Sequence, residues 1–177
     1  METFRSIKDP IANPTFHAHR RQALLRLDLV QIDAPIVSVV SRFNELPYCF
    51  TLQSCCGHFL CGGQRDPLNL QRLPGVTSTA SVEYRIAYLA LCVDNNDAGT
   101  SLLTDLGDVP AIDHDYVQFG CADWFWQRQV NSYALQVEPR RYQTRDAAHI
   151  EYEEALYIQA VRDTVLSALE RLLDARS

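Results

Sequence analysis

A nearly continuous apolar run over residues 82–93 constrains the fold of this chain more than any other segment. Glu83 and Arg85 interrupt the start of the run, and we expect both side chains to face solvent. The positions that follow are apolar almost without exception, and strands of this kind are covered on both faces. The segment therefore predicts a strand at a central position in a sheet.

Residues 148–177 predict a long amphipathic helix. Their apolar side chains recur at intervals of three and four, and charged side chains occupy the remaining sides. The apolar stripe consists of Ile158, Val161, Val165, Ala168 or Leu169, and Leu172. Such a helix packs one face against a core and leaves the others in solvent.

Cap, turn and strand-forming residues divide the remainder into shorter elements. Helices are predicted over residues 16–30, 33–46 and 98–106, strands over 48–54, 116–121 and 129–137, and an irregular loop over 57–75. This order favours an α/β or α+β fold, in which a mixed β-sheet is packed by helices and the chain ends in the amphipathic helix. No repeat or composition break divides residues 1–177, so they are predicted to form a single domain.

Length and charge exclude some classes of protein. A chain of 177 residues can build a core without disulfides or a structural metal. A net charge of −6 argues against coating nucleic acid non-specifically, because that binding depends on neutralising phosphates. No signal peptide or membrane-spanning run is visible, so we expect a cytoplasmic protein with no membrane partner. Its cysteines are then expected to be reduced.

The segment over residues 51–58 is the strongest candidate for a site. A predicted strand ends there in small and polar side chains, and Gly57 lets the backbone turn sharply beside a ligand. Cys55 lies three residues before His58, close enough for the imidazole to lower the pKa of the thiol and create a nucleophile. The alternative is a buried cysteine beside a turn, with His58 simply hydrogen-bonded.

A metal site could use the same segment. Its ligands would be Cys55 or Cys56, His58, Cys61, and a distant Cys121 or His114. Structural zinc sites usually contain paired C-x2-C spacing, which this segment lacks. We therefore assign no metal from the sequence.

Three further stretches each allow two interpretations. Residues 17–21 contain two histidines and two arginines that could bind an anion or form a solvated helix face. Residues 123–128 contain both tryptophans, which could stack on a base or pack in a core or a dimer contact. Residues 138–142 contain an acid, two arginines and a phenol. They could form the rim of a phosphate or adenosine pocket, or simply a charged loop.

The order of residues from Asp33 to His58 resembles the wybutosine-synthesising tRNA methyltransferase family. The chain has an aspartate, an apolar helix closing on Phe43-Asn44, then Thr51 and Ser54-Cys55-Cys56-Gly57-His58. That family has Thr-Ser-Ser-Cys-Ser-Gly-Arg after such a helix, so Cys56 replaces a serine and His58 an arginine. Val137-Glu138-Pro139 is similar to a Glu-Pro in a late strand of the family.

The resemblance implies a ligand and a set of site residues. The ligand would be S-adenosylmethionine or a nucleotide, bound by Ser54, Cys55, Gly57, Glu138 and Arg140, and the acceptor would be tRNA. If the protein is an enzyme it is methyltransferase-like, with Cys55 and His58 as its catalytic residues. The alternatives are a noncatalytic module that binds an unknown ligand or forms homo-oligomers, and a thiol or metal site protein.

Overall fold

The computed structural model describes residues 7–72, 80–142 and 146–176, and five strands of these residues form one antiparallel sheet. The strands are β1 (Cys49–Leu60), β2 (Ser81–Val93), β3 (Val117–Gly120), β4 (Ser132–Val137) and β5 (Ala147–Glu151). β1 pairs along one side of β2, while β4 and β5 share its other side, and β3 pairs beyond β4. The predicted central strand is confirmed.

Five α-helices of the described residues pack around this sheet. They are α1 (Phe16–Arg26), α2 (Val37–Glu45), α3 (Asp97–Asp108), α4 (Asp123–Arg128) and α5 (Tyr152–Asp174). The predicted combination of a sheet, packed helices and a long C-terminal helix is therefore confirmed. Each described strand pair is antiparallel, so parallel pairs do not mix into the sheet.

The main core lies between the sheet and the helices α2 and α5. Most of the predicted apolar stripe of each helix is buried there, which confirms the periodicity argument, but Leu172 is only partly buried and Leu173 is buried instead. The buried stripe residues are Val39, Val40 and Phe43 in α2 and Ile158, Val161, Val165 and Leu169 in α5. Because α5 packs its stripe inside the chain, it presents mainly charged side chains to solvent.

The prediction of an irregular loop over residues 57–75 was wrong for residues 57–60. β1 continues through Gly57 to Leu60 because its pairing with β2 continues, with His58 opposite Arg85 and Leu60 opposite Glu83. Gly57 permits this with a φ of 84°, a left-handed conformation that costs glycine little. Residues 73–75 of the predicted loop lie outside the described residues.

The first helix ends earlier than its apolar spacing predicts. Leu27 is extended, and the side chain of Asp28 accepts a hydrogen bond from the Val30 N–H to start a separate 3-10 turn over Leu29–Gln31. Val30 is 88% exposed, so it contributes nothing to the core. Leu24 and Leu27 are also not among the fully buried residues.

One strand and one α-helix of the described residues were not predicted. β5 lies within the segment assigned to the last helix, and it is a strand because Val82 and Tyr84 of β2 pair with it. α4 occupies the connection between β3 and β4. At α3, the Asn96 side chain accepts a hydrogen bond from the Gly99 N–H as expected for a cap, and the helix continues past Gly107 to Asp108.

Candidate functional site

The segment before α2 is tied to the free edge of β1 by Asp33. One carboxylate oxygen of Asp33 accepts a hydrogen bond from the Cys56 N–H at 2.9 Å, and the other lies 3.3 Å from Nε2 of His58. Asn44, at the end of α2, makes a second link because it accepts from the Thr51 N–H at 3.0 Å and donates to the Thr51 hydroxyl at 2.7 Å. These bonds join residues that the resemblance singled out.

At Gly57 the side chains of β1 switch the face of the sheet towards which they point. Cys56 and Phe59 are both buried in the main core although they are three residues apart, whereas strand side chains normally alternate with period two. Tyr84 and Ala87 on β2 show the same spacing. The left-handed Gly57 lies at this switch, and a Cβ there would lie 3.0 Å from the Ala87 Cβ. Cys55 and His58 are therefore both outside the core.

Cys55, His58 and Asp33 meet at this point. Their ligand atoms, one sulfur, one nitrogen and one carboxylate oxygen, all lie within 4.8 Å of one another. Burial raises the pKa of the Cys55 thiol above its ordinary value, and the nearby Asp33 carboxylate raises it further, while a weak hydrogen bond from the Gly57 N–H opposes this. The expected lowering of the Cys55 pKa by an imidazole is therefore not found.

A row of polar side chains crosses the sheet from Cys55. Cys55 pairs with Tyr88, Tyr88 with Gln136, and Gln136 with Gln118, so the row runs from β1 through β2 and β4 to β3. Val137, next to Gln136, packs against α5, so alternation places Gln136 on the opposite face. We call the face that holds this row the polar side and the face covered by α2 and α5 the inner side.

Glu138 follows β4 and continues the alternation onto the polar side. It is 1% exposed, and among the described residues neither of its carboxylate oxygens has a hydrogen-bond partner. Burial raises the pKa of its carboxyl group to about 7, and the Asp146 carboxylate adds to the effect. Asp146 also contributes to the raised pKa of Tyr88, so the three residues share one neighbourhood.

Two neighbouring amides have unpaired oxygens as well. The Oε1 atoms of Gln118 and Gln136 are buried, and neither has a partner among the described residues. The Nε2 of Gln118 donates to the Glu138 backbone carbonyl at 3.1 Å, which fixes its orientation. The polar side therefore concentrates hydrogen-bond acceptors without donors, and buried acceptors of this kind are rare in folded proteins.

An open cleft of about 560 Å³ lies along the free edge of β1. One wall comes from the end of α1 and the segment after it, and the other from β1 and Tyr88. Its lining includes apolar, hydroxyl, amide and charged groups, from Ala23, Arg26, Leu27, Asp28, Gln31, Ile32, Val40, Thr51, Leu52, Gln53, Ser54 and Tyr88. Its size is within the range of small-ligand sites. Tyr88 connects this cleft to the polar row.

The predicted cofactor residues lie in two places. Ser54 lines the cleft, and Cys55 and Gly57 follow it on β1. Glu138 lies two strands away, because Cys56, Ala87 and Val137 form one cross-strand row, which separates the two backbones by roughly 10 Å. The guanidinium of Arg140 donates to the His114 backbone carbonyl at 2.9 Å, so it is engaged just before the beginning of β3.

The ligand set proposed for a metal does not assemble as the spacing suggested. Among the described residues, Cys55 and His58 are joined by Asp33, and Cys61, Cys121 and His114 are not part of any such group. The Cys121 sulfur accepts from the Lys8 backbone N–H instead.

The other polar stretches make contacts within the chain. Arg20 donates to the backbone carbonyls of Asn44, Leu46 and Cys49, so it links α1 to α2 and β1. Anion binding by residues 17–21 stays a prediction. The Arg128 guanidinium lies 3.5 Å from the ring centre of Trp124, which is 43% exposed. Stacking of a base on the tryptophans and a dimer contact through them both stay predictions.

Tyr88, Gln118 and Gln136 are the site residues that sequence reasoning missed. Each is a single polar or amphipathic residue within an apolar strand, and nothing in its local spacing identifies a site. The available signal was that glutamine is rare inside a buried strand. Cross-strand register, which brings the three together, requires the structure.

Comparisons with known proteins bear on the fold. No family model and no curated protein matches the chain. Among solved structures, the PH1069 protein from Pyrococcus horikoshii is similar, with a TM-score of 0.55 and 11% identity over 92% of this chain and 96% of that chain. The PH1069 protein from Pyrococcus horikoshii OT3 gives a TM-score of 0.46 and 12% identity over 92% and 93% of the two chains. At such identity the first similarity shows a shared fold alone.

Within the described residues, no helix combines the length and the apolar character needed to cross a bilayer.

Proposed function

We propose that this protein binds S-adenosylmethionine next to the polar side of its sheet and acts in methyl transfer, as its resemblance to the wybutosine-synthesising tRNA methyltransferases implies. The observation that carries the proposal is the Glu138 carboxylate, which is buried and has no partner among the described residues. A carboxylate in such a place is stabilised by a cation. S-adenosylmethionine carries positive charge on its sulfonium and its ammonium groups.

The cleft along β1 supports this proposal. The cleft along β1 has the volume of a small-ligand site and offers the ring of Tyr88 and the side chain of Leu52 as apolar contacts. Ser54 and Thr51 supply hydroxyl groups on the same wall. In this proposal Ser54 and Tyr88 hold the ligand in the cleft. Glu138, which is buried outside the cleft lining, is the partner proposed for its positive charge.

The chemistry divides between the ligand and the protein. S-adenosylmethionine, when bound, supplies an electrophilic methyl group, so the protein contributes mainly binding and orientation. Asp33 and Asn44 hold the edge of β1 through the Cys56 and Thr51 backbone, which fixes Ser54 between these two anchors. Glu138 can change protonation near neutral pH, because burial raises the pKa of its carboxyl group to about 7. A bound cation would favour its ionised form.

The acceptor in this proposal is tRNA, and it comes from the resemblance alone. The net charge of −6 requires that any tRNA contact be local and not spread over the whole surface. Methyl transfer to tRNA is therefore tested after ligand binding has been measured.

Titration calorimetry with S-adenosylmethionine tests the binding step. We expect one molecule per chain, with binding lost in Ser54→Arg because the larger side chain fills the cleft. Glu138→Gln should weaken binding about tenfold or more, since it removes a charged partner. The matched control is Ser167→Arg, on the exposed side of α5.

A neutral analogue separates charge recognition from adenosine recognition. Methylthioadenosine lacks both positive groups, so Glu138→Gln should change its affinity much less than that of S-adenosylmethionine. Absence of binding at millimolar S-adenosylmethionine contradicts the proposal. Equal losses for the two ligands would remove Glu138 from the site.

A further inference from the structure

We propose that Asp33, Cys55 and His58 form a binding site for a divalent transition metal ion, with zinc as the best fit. A carboxylate oxygen, a thiol sulfur and an imidazole nitrogen lie within 4.8 Å of one another, and no other set of described residues forms such a group. Zinc takes these three donor types in proteins. This proposal is independent of methyl transfer and concerns the metal alone.

The distances are close to those of a bound metal. Zinc bonds of roughly 2.0 to 2.3 Å in a tetrahedral arrangement separate neighbouring ligand atoms by roughly 3.3 to 3.7 Å. The Nε2 of His58 and the Oδ1 of Asp33 are already 3.3 Å apart. The Cys55 sulfur therefore needs to approach by on the order of 1 Å, which rotation of its side chain can supply.

The backbone organises the three ligands. The left-handed Gly57 places both Cys55 and His58 outside the core, although residues three apart on a regular strand face opposite sides. The second oxygen of Asp33 accepts from the Cys56 N–H, which leaves Oδ1 directed towards His58. Outer contacts of this kind orient metal ligands and strengthen binding.

The proposed metal site is accessible to solvent and has an open coordination position, as catalytic zinc sites do. The side chains of His58 and Asp33 are 30% and 25% exposed. Three protein ligands leave a fourth position for water or a small molecule. The open cleft begins at Ser54, next to Cys55. A metal here would therefore lie next to the proposed ligand site without depending on it.

A thiol nucleophile is the competing use of the same residues. It requires a base that takes the proton of the Cys55 thiol, but the Nε2 of His58 lies 3.3 Å from the Oδ1 of Asp33. A metal ion supplies the positive charge that a thiolate at this position lacks. A second competing arrangement is an ordinary Asp33–His58 hydrogen bond in which Cys55 takes no part. Metal binding distinguishes these arrangements.

The test is titration of metal-free, reduced full-length protein with Zn²⁺ against a chromophoric chelator, followed by titration with Co²⁺. We expect one Zn²⁺ per chain and a thiolate-to-cobalt charge-transfer band in the near ultraviolet. Asp33→Asn and His58→Gln should each weaken Zn²⁺ binding about tenfold to a hundredfold. Cys55→Ser should weaken it similarly and abolish the charge-transfer band.

Cys61→Ser is the matched control, because Cys61 is a partly buried cysteine just beyond the end of β1 and outside the cluster. It should leave both the affinity and the band unchanged. The circular dichroism spectrum of each metal-free variant shows whether it has folded, and Asp33→Asn keeps an oxygen for the Cys56 N–H.

Failure to bind Zn²⁺ stoichiometrically at micromolar concentration overturns the proposal. So does a charge-transfer band that persists in Cys55→Ser. Binding of S-adenosylmethionine by metal-free protein is measured separately, so the two proposals can fail independently.

Discussion

The inner and polar sides of the sheet use the same strands for opposite purposes. On β4, Leu135 is 2% exposed and packs in the main core, whereas the next residue, Gln136, has a buried oxygen without a partner among the described residues. Core packing rewards apolar contact, and unpaired polar groups cost stability. The comparison indicates that stability comes mainly from the inner side. In the proposed function, the unpartnered groups of the polar side are the ones that meet the ligand.

Leu135→Gln tests the inner half of this comparison and should have the largest effect. It removes apolar contacts with the core and buries an amide that has no partner there. We expect a loss of about 4 kcal/mol in the free energy of unfolding. Urea unfolding followed by circular dichroism measures it. A loss below about 1 kcal/mol would show that the inner side tolerates polar groups as the polar side does.

Glu138→Gln tests the polar side through pH. The folded state holds the Glu138 proton up to about pH 7, against an ordinary pKa of 4.5. The unfolded chain therefore releases this proton first as pH rises, and the contribution of Glu138 to stability falls between those two values. The fall is about 3 kcal/mol, and it is complete above about pH 7.

The variant removes this titration. Its stability should match that of the original protein near pH 4.5 and exceed it by about 3 kcal/mol at pH 8. The difference between the two urea-unfolding series isolates Glu138 from the other titrating groups. If the free energies of unfolding of the two proteins change in parallel across this pH range, the Glu138 carboxylate has a partner in the folded protein.

Gln136→Leu should have the smallest effect and completes the comparison. It replaces an amide whose oxygen lacks a partner with an apolar side chain of similar size, so little is lost. We expect a change of under about 1 kcal/mol, in the stabilising direction. The same urea-unfolding measurement applies. A loss as large as that of Leu135→Gln would mean that both sides of β4 are packed alike.

The inner side was largely predictable from the sequence, because repeated apolar spacing reports which side of an element is buried. This holds for α2, α5 and β2. β5 was missed because it is five residues long and directly precedes α5. Only pairing with β2 makes it a strand.

Local spacing alone identified only adjacent residues of the candidate site, while Asp33, Glu138 and Arg140 were named through the family resemblance. Ser54, Cys55, Gly57 and His58 follow one another along β1, and local spacing identified them. The contact between Asp33 and His58 spans 25 residues, and no periodicity encodes such a distance. Gln118, Gln136 and Glu138 approach one another through strand register, which depends on the whole sheet.

Gly57 limits how the motif on β1 could be transplanted. A protein engineer who moved Asp33, Cys55 and His58 onto a regular strand of another scaffold would direct Cys55 and His58 to opposite faces. The graft needs the left-handed glycine and also a neighbouring strand as close as β2, where a Cβ added at position 57 would lie 3.0 Å from the Cβ of Ala87. The transferable unit is therefore a pair of strands with a switch in side-chain direction, and not the three side chains.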